Sequence, residues 1–149
     1  MTPPEQDQLI ARRIGHVEIG LHALPAYLDR HGRPTSLDGM QGHTLIGFDT
    51  VTPFIRAGTK RLGGISRESF ALRCDSDLAQ LALIRAGAGI GVCQLPLARR
   101  EPLLERVVPD QFTWPLETWV AMHEDLRQNV ACRLVFDALV DGLTHYAGA

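Results

Sequence analysis

The chain alternates short apolar runs with segments in which apolar residues recur at helical spacing. Most of the apolar runs are followed by turn or capping residues, and several of those residues open a helical pattern. This alternation predicts an α/β fold with a mixed, largely parallel sheet. The predicted strands are 14–22, 43–48, 68–73, 90–94 and 117–123, with a weaker one at 103–108, and the predicted helices begin near Pro25, Pro53, Ser76, Pro96 and Asp125.

Residues 68–96 are the most informative stretch, because they read as strand, capped helix, glycine turn and second strand. The helix is expected to stop at Gly87 or Gly89, since glycine is common just after a helix end. The right-handed crossover rule predicts that the two strands run parallel. Cys74 and Cys93 are therefore expected to end adjacent strands.

Two other segments carry definite expectations. Residues 57–67 are rich in glycine and basic side chains, which predicts a mobile surface loop. A long helix is predicted from about residue 125 to about residue 146. The apolar face of the helix near Ser76 is predicted as Leu78, Leu81, Leu83 and Ile84, and the core stripe of the last helix as Val130, Leu134, Val135, Ala138, Leu139 and Leu143.

The candidate binding site lies where the predicted strands end. Parallel strands of an α/β sheet bind ligands beyond their carboxyl ends, and the helices that follow offer backbone N–H groups and a positive dipole end. An anionic or carboxylate-bearing ligand suits this edge. The same residues also serve as helix caps, turn formers and core, so both interpretations stay open. The predicted binding residues are Phe48, Asp49, Thr50, Thr52, Gln94 and Leu95.

Composition narrows the class of protein. The 149 residues suit one domain, and 15 basic against 17 acidic side chains give a net charge of −2, so no basic face for nucleic acid is indicated. The basic residues within 56–67 are read as a solvated loop face. No apolar run approaches the ~20 residues of a membrane span, and the N-terminal MTPPEQDQ lacks a signal-peptide core. Three widely spaced cysteines indicate reduced thiols in a cytoplasmic protein.

The sequence carries no convincing catalytic, metal or cofactor signature. The glycines of 87–91 end a helix and open a strand, which is the reverse of a dinucleotide-binding loop. His16 and His22 stand roughly 20 Å apart on an extended strand, too far to share one metal ion. No nucleophile motif stands out. The sequence therefore predicts no catalytic residues, no metal and no cofactor, and a thiol switch at Cys74 and Cys93 stays the minor alternative to two semi-buried apolar residues.

Four segments together resemble the LysR-type transcriptional regulators, and the resemblance extends over about residues 13–145. They resemble that family's hinge strand with its short helix, the next turn with its strand, the helix with its glycine turn and strand ending in Leu-Pro, and the return strand with the final helix. The segments are VEIGLHALPAYLDRHGRP, SLDGMQGHTLIGFD, RCDSDLAQLALIRAGAGIGVCQLPLA and LETWVAMHEDLRQNVACRLVFDALVDGL.

The resemblance implies a periplasmic-binding-protein-like (type 2) effector domain, made of two α/β lobes with a cleft between them. We expect this chain to be a fragment that holds one complete lobe plus the last strand and helix of the other. The expected division is 1–23 for the lead-in and hinge strand of lobe one, 24–118 for effector lobe two, and 119–149 for the return hinge strand and C-terminal helix of lobe one.

The resemblance also implies a function. The chain would sense a small effector, an anionic metabolite being the best suited, in the cleft between the lobes. It would self-associate as a homodimer, and as a tetramer in the full-length protein, and would reach DNA only through a helix-turn-helix that this chain lacks. The alternatives are an enzyme of the same two-lobed fold acting on a small organic acid, and a solute-binding protein.

Overall fold

The computed structural model describes residues 8–101 and 103–148. The strands are β1 (Leu9–Ala23), β2 (Leu45–Gly47), β3 (Phe70–Arg73), β4 (Gly91–Gln94), β5 (Glu105–Val107) and β6 (Trp114–His123). The helices are α1 (Pro25–His31), α2 (Pro53–Lys60), α3 (Asp77–Arg85), α4 (Leu95–Arg99) and α5 (Val130–Ala147), with 3-10 turns at Asp38–Met40, Arg67–Ser69 and Glu124–Gln128.

The chain divides into two compact units. Unit 1 comprises the described residues up to Glu18 and from Pro115 onward, and unit 2 comprises Ile19–Trp114. The lobe boundaries expected after residues 23 and 118 stay a prediction.

The strands of unit 2 pair in the order β3-β2-β4-β1-β5. Strands β2 and β3 are parallel, and a single parallel bridge between Leu45 and Ile90 joins β2 to the start of β4. Strand β1 is antiparallel to both β4 and β5. The predicted mixed α/β sheet is confirmed, and β3 and β4 do run in the same direction. The sheet is not largely parallel as predicted, because β1 pairs antiparallel with both of its neighbours in unit 2.

The core of unit 2 lies on both faces of this sheet. Leu45 belongs to one cluster with Tyr27, Met40 and Val107, while its neighbour Ile46 belongs to a second cluster. Successive side chains of a strand point to opposite faces, so the two clusters cover the two sides. Burial on both faces explains why β2 reads as a continuous apolar run rather than an alternating one.

Local capping chemistry produced the helix starts that the sequence predicts. Helix α1 begins at Pro25 and ends before Gly32, whose φ of +90° suits glycine. The Thr52 hydroxyl accepts a hydrogen bond from the Ile55 amide at 3.2 Å, and the Ser76 hydroxyl caps α3 in the same manner. These expected starts are confirmed.

The surface loop expected at 57–67 is only partly correct. Helix α2 continues to Lys60, and a 3-10 turn begins at Arg67. Gly58 is buried within α2, where a Cβ atom would overlap the Trp114 ring. This glycine therefore permits close packing inside a helix and does not end it.

The expected adjacency of β3 and β4 is wrong. Strand β2 lies between them, since it pairs with β3 and is bridged to β4. Cys74 and Cys93 therefore end strands that are not neighbours. The crossover rule fixed the direction of the two strands, but it does not exclude a strand inserted between them.

Unit 1 contains the first part of β1, most of β6 and α5. Asn129 caps α5 through its side-chain oxygen, which accepts from the Cys132 amide at 3.1 Å, so the helix begins a few residues later than expected. Phe136 is its buried residue. The core stripe expected on α5 is largely exposed, as is Leu78 on α3. The exposed residues of that stripe include Val130 (70%), Leu134 (65%), Val135 (60%) and Leu139 (48%).

The error on α5 has a simple cause. The helix carries apolar side chains on two faces, and Phe136 points away from the face on which Val130 and Leu134 lie. Periodicity identifies an apolar face but does not decide which of two faces is packed. Within the described residues, no helix has the length and apolarity needed to cross a bilayer.

Candidate functional site

The candidate site is an edge of unit 2, here called the rim, formed by the residues that end β2, β3 and β4 (48–52, 74–76 and 94–95). Because the three strands run in one direction, their carboxyl ends share one edge of the sheet. Phe48 follows β2, Cys74 follows β3, and Gln94 ends β4. The strand directions thus bring these three positions to a common edge.

Asp75 holds two of the three rim segments together. Its Oδ1 accepts hydrogen bonds from the backbone amides of Asp49 and Thr50, each at 2.9 Å. Its Oδ2 accepts from the Thr50 hydroxyl at 2.6 Å. The hydrogen bond from the Thr50 side chain, followed by those from the backbone, holds the pKa of Asp75 below its ordinary value. This set of contacts is named the Asp75 clamp.

Two arginines fix the orientation of Asp49. Arg67 donates from Nε to the Asp49 carbonyl oxygen at 2.6 Å and from Nη2 to the Asp49 carboxylate. The Nε atom of Arg73 lies 3.6 Å from the same carboxylate oxygen. The Asp49 carboxylate is therefore paired with arginines of the same unit.

The clamp changes the expected chemistry of the rim. Asp49 and Thr50 were predicted to bind the ligand, but the Asp75 carboxylate already accepts hydrogen bonds from both of their backbone amides. An anion at these two amides would have to displace Asp75. Positive charge for a ligand must therefore come from side chains rather than from these backbone groups.

The remaining predicted residues occupy different surroundings. Thr52 uses its hydroxyl to cap α2, as its alternative interpretation expected. Gln94 is exposed at the start of α4, while Leu95 is buried, and its Cδ1 would lie 3.0 Å from a Cβ placed on Gly20. Leu95 thus belongs to the interior behind the rim.

Sequence reasoning missed three residues that shape the rim. The sequence predicts Asp75 as a helix cap whose backbone amide could also contact a ligand, not as a link between two strand ends, and it places Arg67 in a loop. The buried Gln80 donates from Nε2 to the Cys74 carbonyl oxygen at 2.6 Å, which fixes the turn from β3 into α3. A glutamine within an otherwise apolar helical pattern was the signal available for this contact.

A pocket of about 350 Å³, named the α2 pocket, opens beside the rim. Phe48 is the predicted site residue that lines it, and Asp49, Thr50 and Gln94 stand outside its lining. Apolar side chains, three of the five from outside α2 and β3, form much of its wall, and Arg56 and Lys60 contribute cations. The lining residues are Phe48, Val51, Ile55, Arg56, Thr59, Lys60, Gly64, Ile65, Ser66, Arg67, Glu68 and Phe70.

The aromatic residue of α2, Phe54, lies outside the lining of this pocket. Phe54 stacks on Trp114 with ring centroids 4.7 Å apart, and the Arg61 guanidinium lies 5.7 Å from the Trp114 ring centroid. These contacts pack α2 against Trp114, the last residue of unit 2, and so fix the helix that forms one wall of the α2 pocket.

The two cysteines near the rim do not form a ready thiol pair. Burial raises the pKa of Cys93, so its thiol stays protonated near neutral pH. Cys74 lies beyond the intervening strand β2. Among the residues that the structure describes, no three histidine, cysteine or acidic side chains come together as a metal site.

The fold is α/β and of the periplasmic-binding-protein-like type 2 class. A family model described as the LysR substrate binding domain matches residues 1–144. The chain belongs to this family, and the resemblance seen in the sequence is confirmed. The family consists of domains of transcriptional regulators rather than enzymes.

Solved structures agree on the fold. The regulatory domain of CrgA, a LysR-type transcriptional regulator from Neisseria meningitidis, is 22% identical with a TM-score of 0.73, and the match covers 95% of this chain and 72% of that one. The longer CrgA chain is 24% identical with a TM-score of 0.72. Full-length AphB, the Vibrio cholerae virulence activator, is 22% identical with a TM-score of 0.65, and the match covers 94% of this chain.

This chain spans about half the length of the longer relatives, namely 50% of the CrgA chain and 49% of the AphB chain. Among curated proteins, none matches the sequence.

Proposed function

We propose that this chain is the effector-sensing part of a LysR-type transcriptional regulator and that unit 2 binds a small molecule at the rim and in the α2 pocket. The single observation that carries the proposal is the position of Phe48, which follows β2 at the rim and also lines the α2 pocket. A ligand seated in the pocket would therefore touch the segment that the Asp75 clamp holds.

The lining of the α2 pocket favours an anion with an apolar body. Phe48, Ile55 and Phe70 offer an apolar wall, while Arg56 and Lys60 stand exposed on α2. A volume of about 350 Å³ lies within the range of small-molecule sites, roughly 300–1,000 Å³. A carboxylate paired with Lys60 or Arg56 would leave the Asp75 clamp intact.

The signal would be a population shift. An effector that contacts Phe48 or Thr50 binds one arrangement of the 48–52 segment better than another, and it stabilises that arrangement by the difference in affinity. In the whole regulator, this proposal extends to homodimerisation and to DNA binding through a helix-turn-helix domain. The change at the rim would bias how subunits pack and hence how they hold DNA.

The test is a thermal-shift screen of the chain with benzoate, phenylacetate and hexanoate, each compared with its neutral amide. We expect at least one carboxylate to raise Tm and its amide to have no effect, because the amide lacks the charge that Lys60 and Arg56 recognise. Titration calorimetry then gives the affinity for Thr50→Ala, Gln94→Ala and Lys60→Gln.

We expect the three variants to bind the carboxylate severalfold more weakly than the wild type. Arg30→Gln is the matched control, since it removes one exposed cation of unit 2 that lies outside both the rim and the α2 pocket lining. If no carboxylate stabilises the chain, or if the three variants bind as the control does, the proposed site is wrong.

A further inference from the structure

Unit 1 contains a second pocket, independent of the rim, with a volume of about 530 Å³. Its wall comes from β1, the end of β6, the 3-10 turn at Glu124–Gln128 and α5, so all of it lies within unit 1. The lining residues are Ile10, Arg12, Met122, Arg127, Gln128, Arg133, Phe136 and Asp137, and the site is named the arginine pocket.

Three arginines from three different elements meet at this pocket. Arg12 comes from β1, Arg127 from the 3-10 turn and Arg133 from α5. Three arginines against one aspartate, Asp137, leave two net positive charges among the lining residues. The wider chain carries a net charge of −2, so this is a local concentration of positive charge.

In the part of the chain that the structure describes, these three arginines lack the carboxylate partners that several other arginines have. Within residues 8–101 and 103–148, none of the three has a carboxylate oxygen within 4.0 Å. By contrast Arg13, next to Arg12 on β1, is 2.8 Å from Glu117. Successive residues of a strand face opposite sides, so the charge of Arg13 is paired on one face of β1 and, among the described residues, that of Arg12 is unpaired on the other.

The floor of the pocket is apolar. Phe136 is buried, and Ile10 and Met122 are half-buried. Apolar walls lower the local dielectric and strengthen the attraction between a guanidinium and an anion. Arg12, Arg127 and Arg133 are themselves exposed, so water and salt screen part of this attraction.

We propose that the arginine pocket binds a small organic anion with two oxyanion groups, a dicarboxylate or a phosphate ester. Guanidinium groups present fixed pairs of N–H donors that match the oxygens of carboxylates and phosphates. Arginines on three elements can approach one ligand from different sides. A ligand with a single charged group would need only one of them. Gln128 adds an amide that can donate or accept a hydrogen bond.

The experiment measures the binding of two probes, succinate and inorganic pyrophosphate, to the 149-residue chain by titration calorimetry at constant ionic strength. The variants are Arg12→Gln, Arg133→Gln and the double variant. We expect at least one probe to bind the wild type, with a loss of about tenfold in affinity for each arginine removed, because each charge-assisted hydrogen bond is lost. Succinate alone would indicate a dicarboxylate, and pyrophosphate alone a phosphate compound.

Arg30→Gln is the control, since it makes the same change in charge on an exposed residue of unit 2. Equal binding by the control and by both single variants would mean non-specific attraction and would overturn the proposal, as would failure of both probes to bind the wild type. Thermal unfolding checks that the variants fold. Arg127→Gln, on the exposed 3-10 turn, serves as a further variant if Arg12→Gln unfolds.

Binding of the probes to the arginine pocket can be distinguished from ligand binding at the rim and the α2 pocket. Lys60→Gln and Thr50→Ala alter unit 2 and are expected to leave probe binding to the arginine pocket unchanged. If they weaken it as much as Arg133→Gln does, the probes bind elsewhere and the assignment to unit 1 is wrong.

Discussion

Arginines lie close together both beside the rim of unit 2 and in the arginine pocket of unit 1, but within the described part of the chain only those beside the rim have carboxylate partners. At the rim, Arg67 and Arg73 pair with Asp49, and the neighbouring amides are held by Asp75. In the arginine pocket, Arg12 and Arg133 have no carboxylate partner within 4.0 Å among the described residues. A cluster of arginines in the sequence therefore does not by itself indicate an anion site.

The difference has consequences for binding. The rim is already held in place by its own hydrogen bonds, so a ligand that binds there spends little free energy on ordering the protein. Its affinity then depends on how well its shape fits. An unsatisfied cluster gains charge pairing when an anion arrives, and its affinity should fall steeply as salt is added. Unit 2 is thus suited to a ligand with an apolar body and a carboxylate, and unit 1 to a ligand with two oxyanion groups.

The largest expected effect comes from breaking the backbone contact that supports the rim. A Cβ atom on Gly89 would overlap the Thr44 carbonyl oxygen, which accepts a hydrogen bond from the Ile90 amide. Gly89→Ala should therefore disrupt the bridge from β2 to β4. We expect the free energy of unfolding to fall by about 3 kcal/mol or more, measured by urea denaturation.

The matched control for Gly89→Ala lies in unit 1. A Cβ atom on Gly142 meets nothing within 4 Å, and this residue lies inside α5. Gly142→Ala should raise the free energy of unfolding by about 0.5–1 kcal/mol, since alanine favours a helix over glycine. Equal destabilisation by the two substitutions would show that the tight contact at Gly89 does not support unit 2.

Acid should destabilise unit 2 through a buried histidine. The Nδ1–H group of His22 donates to the Gly20 carbonyl oxygen at 3.0 Å, and burial, the largest cause, lowers the pKa of His22 to about 4. Because the unfolded chain takes up this proton near pH 6.5, the stability is fully present above that pH and is lost toward pH 4. The loss is on the order of 3 kcal/mol at most.

Urea denaturation at several pH values between 7.5 and 4.5 measures this loss. His22→Gln should be less stable at pH 7.5 but should show a flatter profile between pH 6.5 and 5, where few carboxylates titrate. A wild-type profile as flat as that of the variant would contradict the role of His22. The exposed histidines His16 and His145 offer control substitutions in unit 1.

The Asp75 clamp is expected to have a smaller effect on stability, and here the charged form of the side chain stabilises the fold. Hydrogen bonds from Thr50 hold the pKa of Asp75 below its ordinary value of 3.8, so the carboxylate stabilises the fold above that pH and less as the pH falls below it. Asp75→Ala should lower Tm by a few degrees at pH 7. Thermal unfolding at pH 3 should show a smaller difference between the variant and the wild type, and an equal difference at both values would mean that the charge of Asp75 contributes nothing.

Features set by neighbouring residues could be predicted from the sequence. Thr52 and Pro53 start α2 because capping involves residues only three positions apart. The location of the rim could also be predicted, because parallel strands end on one edge whatever their order. The insertion of β2 between β3 and β4 could not, since it depends on the pairing of Leu45 with Ile90, far away in sequence.

The state of the rim was beyond sequence reasoning for the same reason. Asp75 bonds the amides of Asp49 and Thr50 only because β2 and β3 pair in register. The sequence reveals a good acceptor after one strand and open amides after another, but not that they meet. The packing of Gly58 against Trp114 could likewise not be predicted, because Trp114 is distant in the chain.

The smallest expected effect tests which face of α5 is packed. Leu134 is 65% exposed, so Leu134→Gln should change the free energy of unfolding by less than about 0.5 kcal/mol. Phe136 is buried on another face, and Phe136→Ala should cost about 3 kcal/mol or more by leaving a cavity. Urea denaturation of both variants compares the two faces directly. A large loss for Leu134→Gln would mean that its face is covered in solution, as the periodicity of the sequence predicts, and would move the core of unit 1 to that side of the helix.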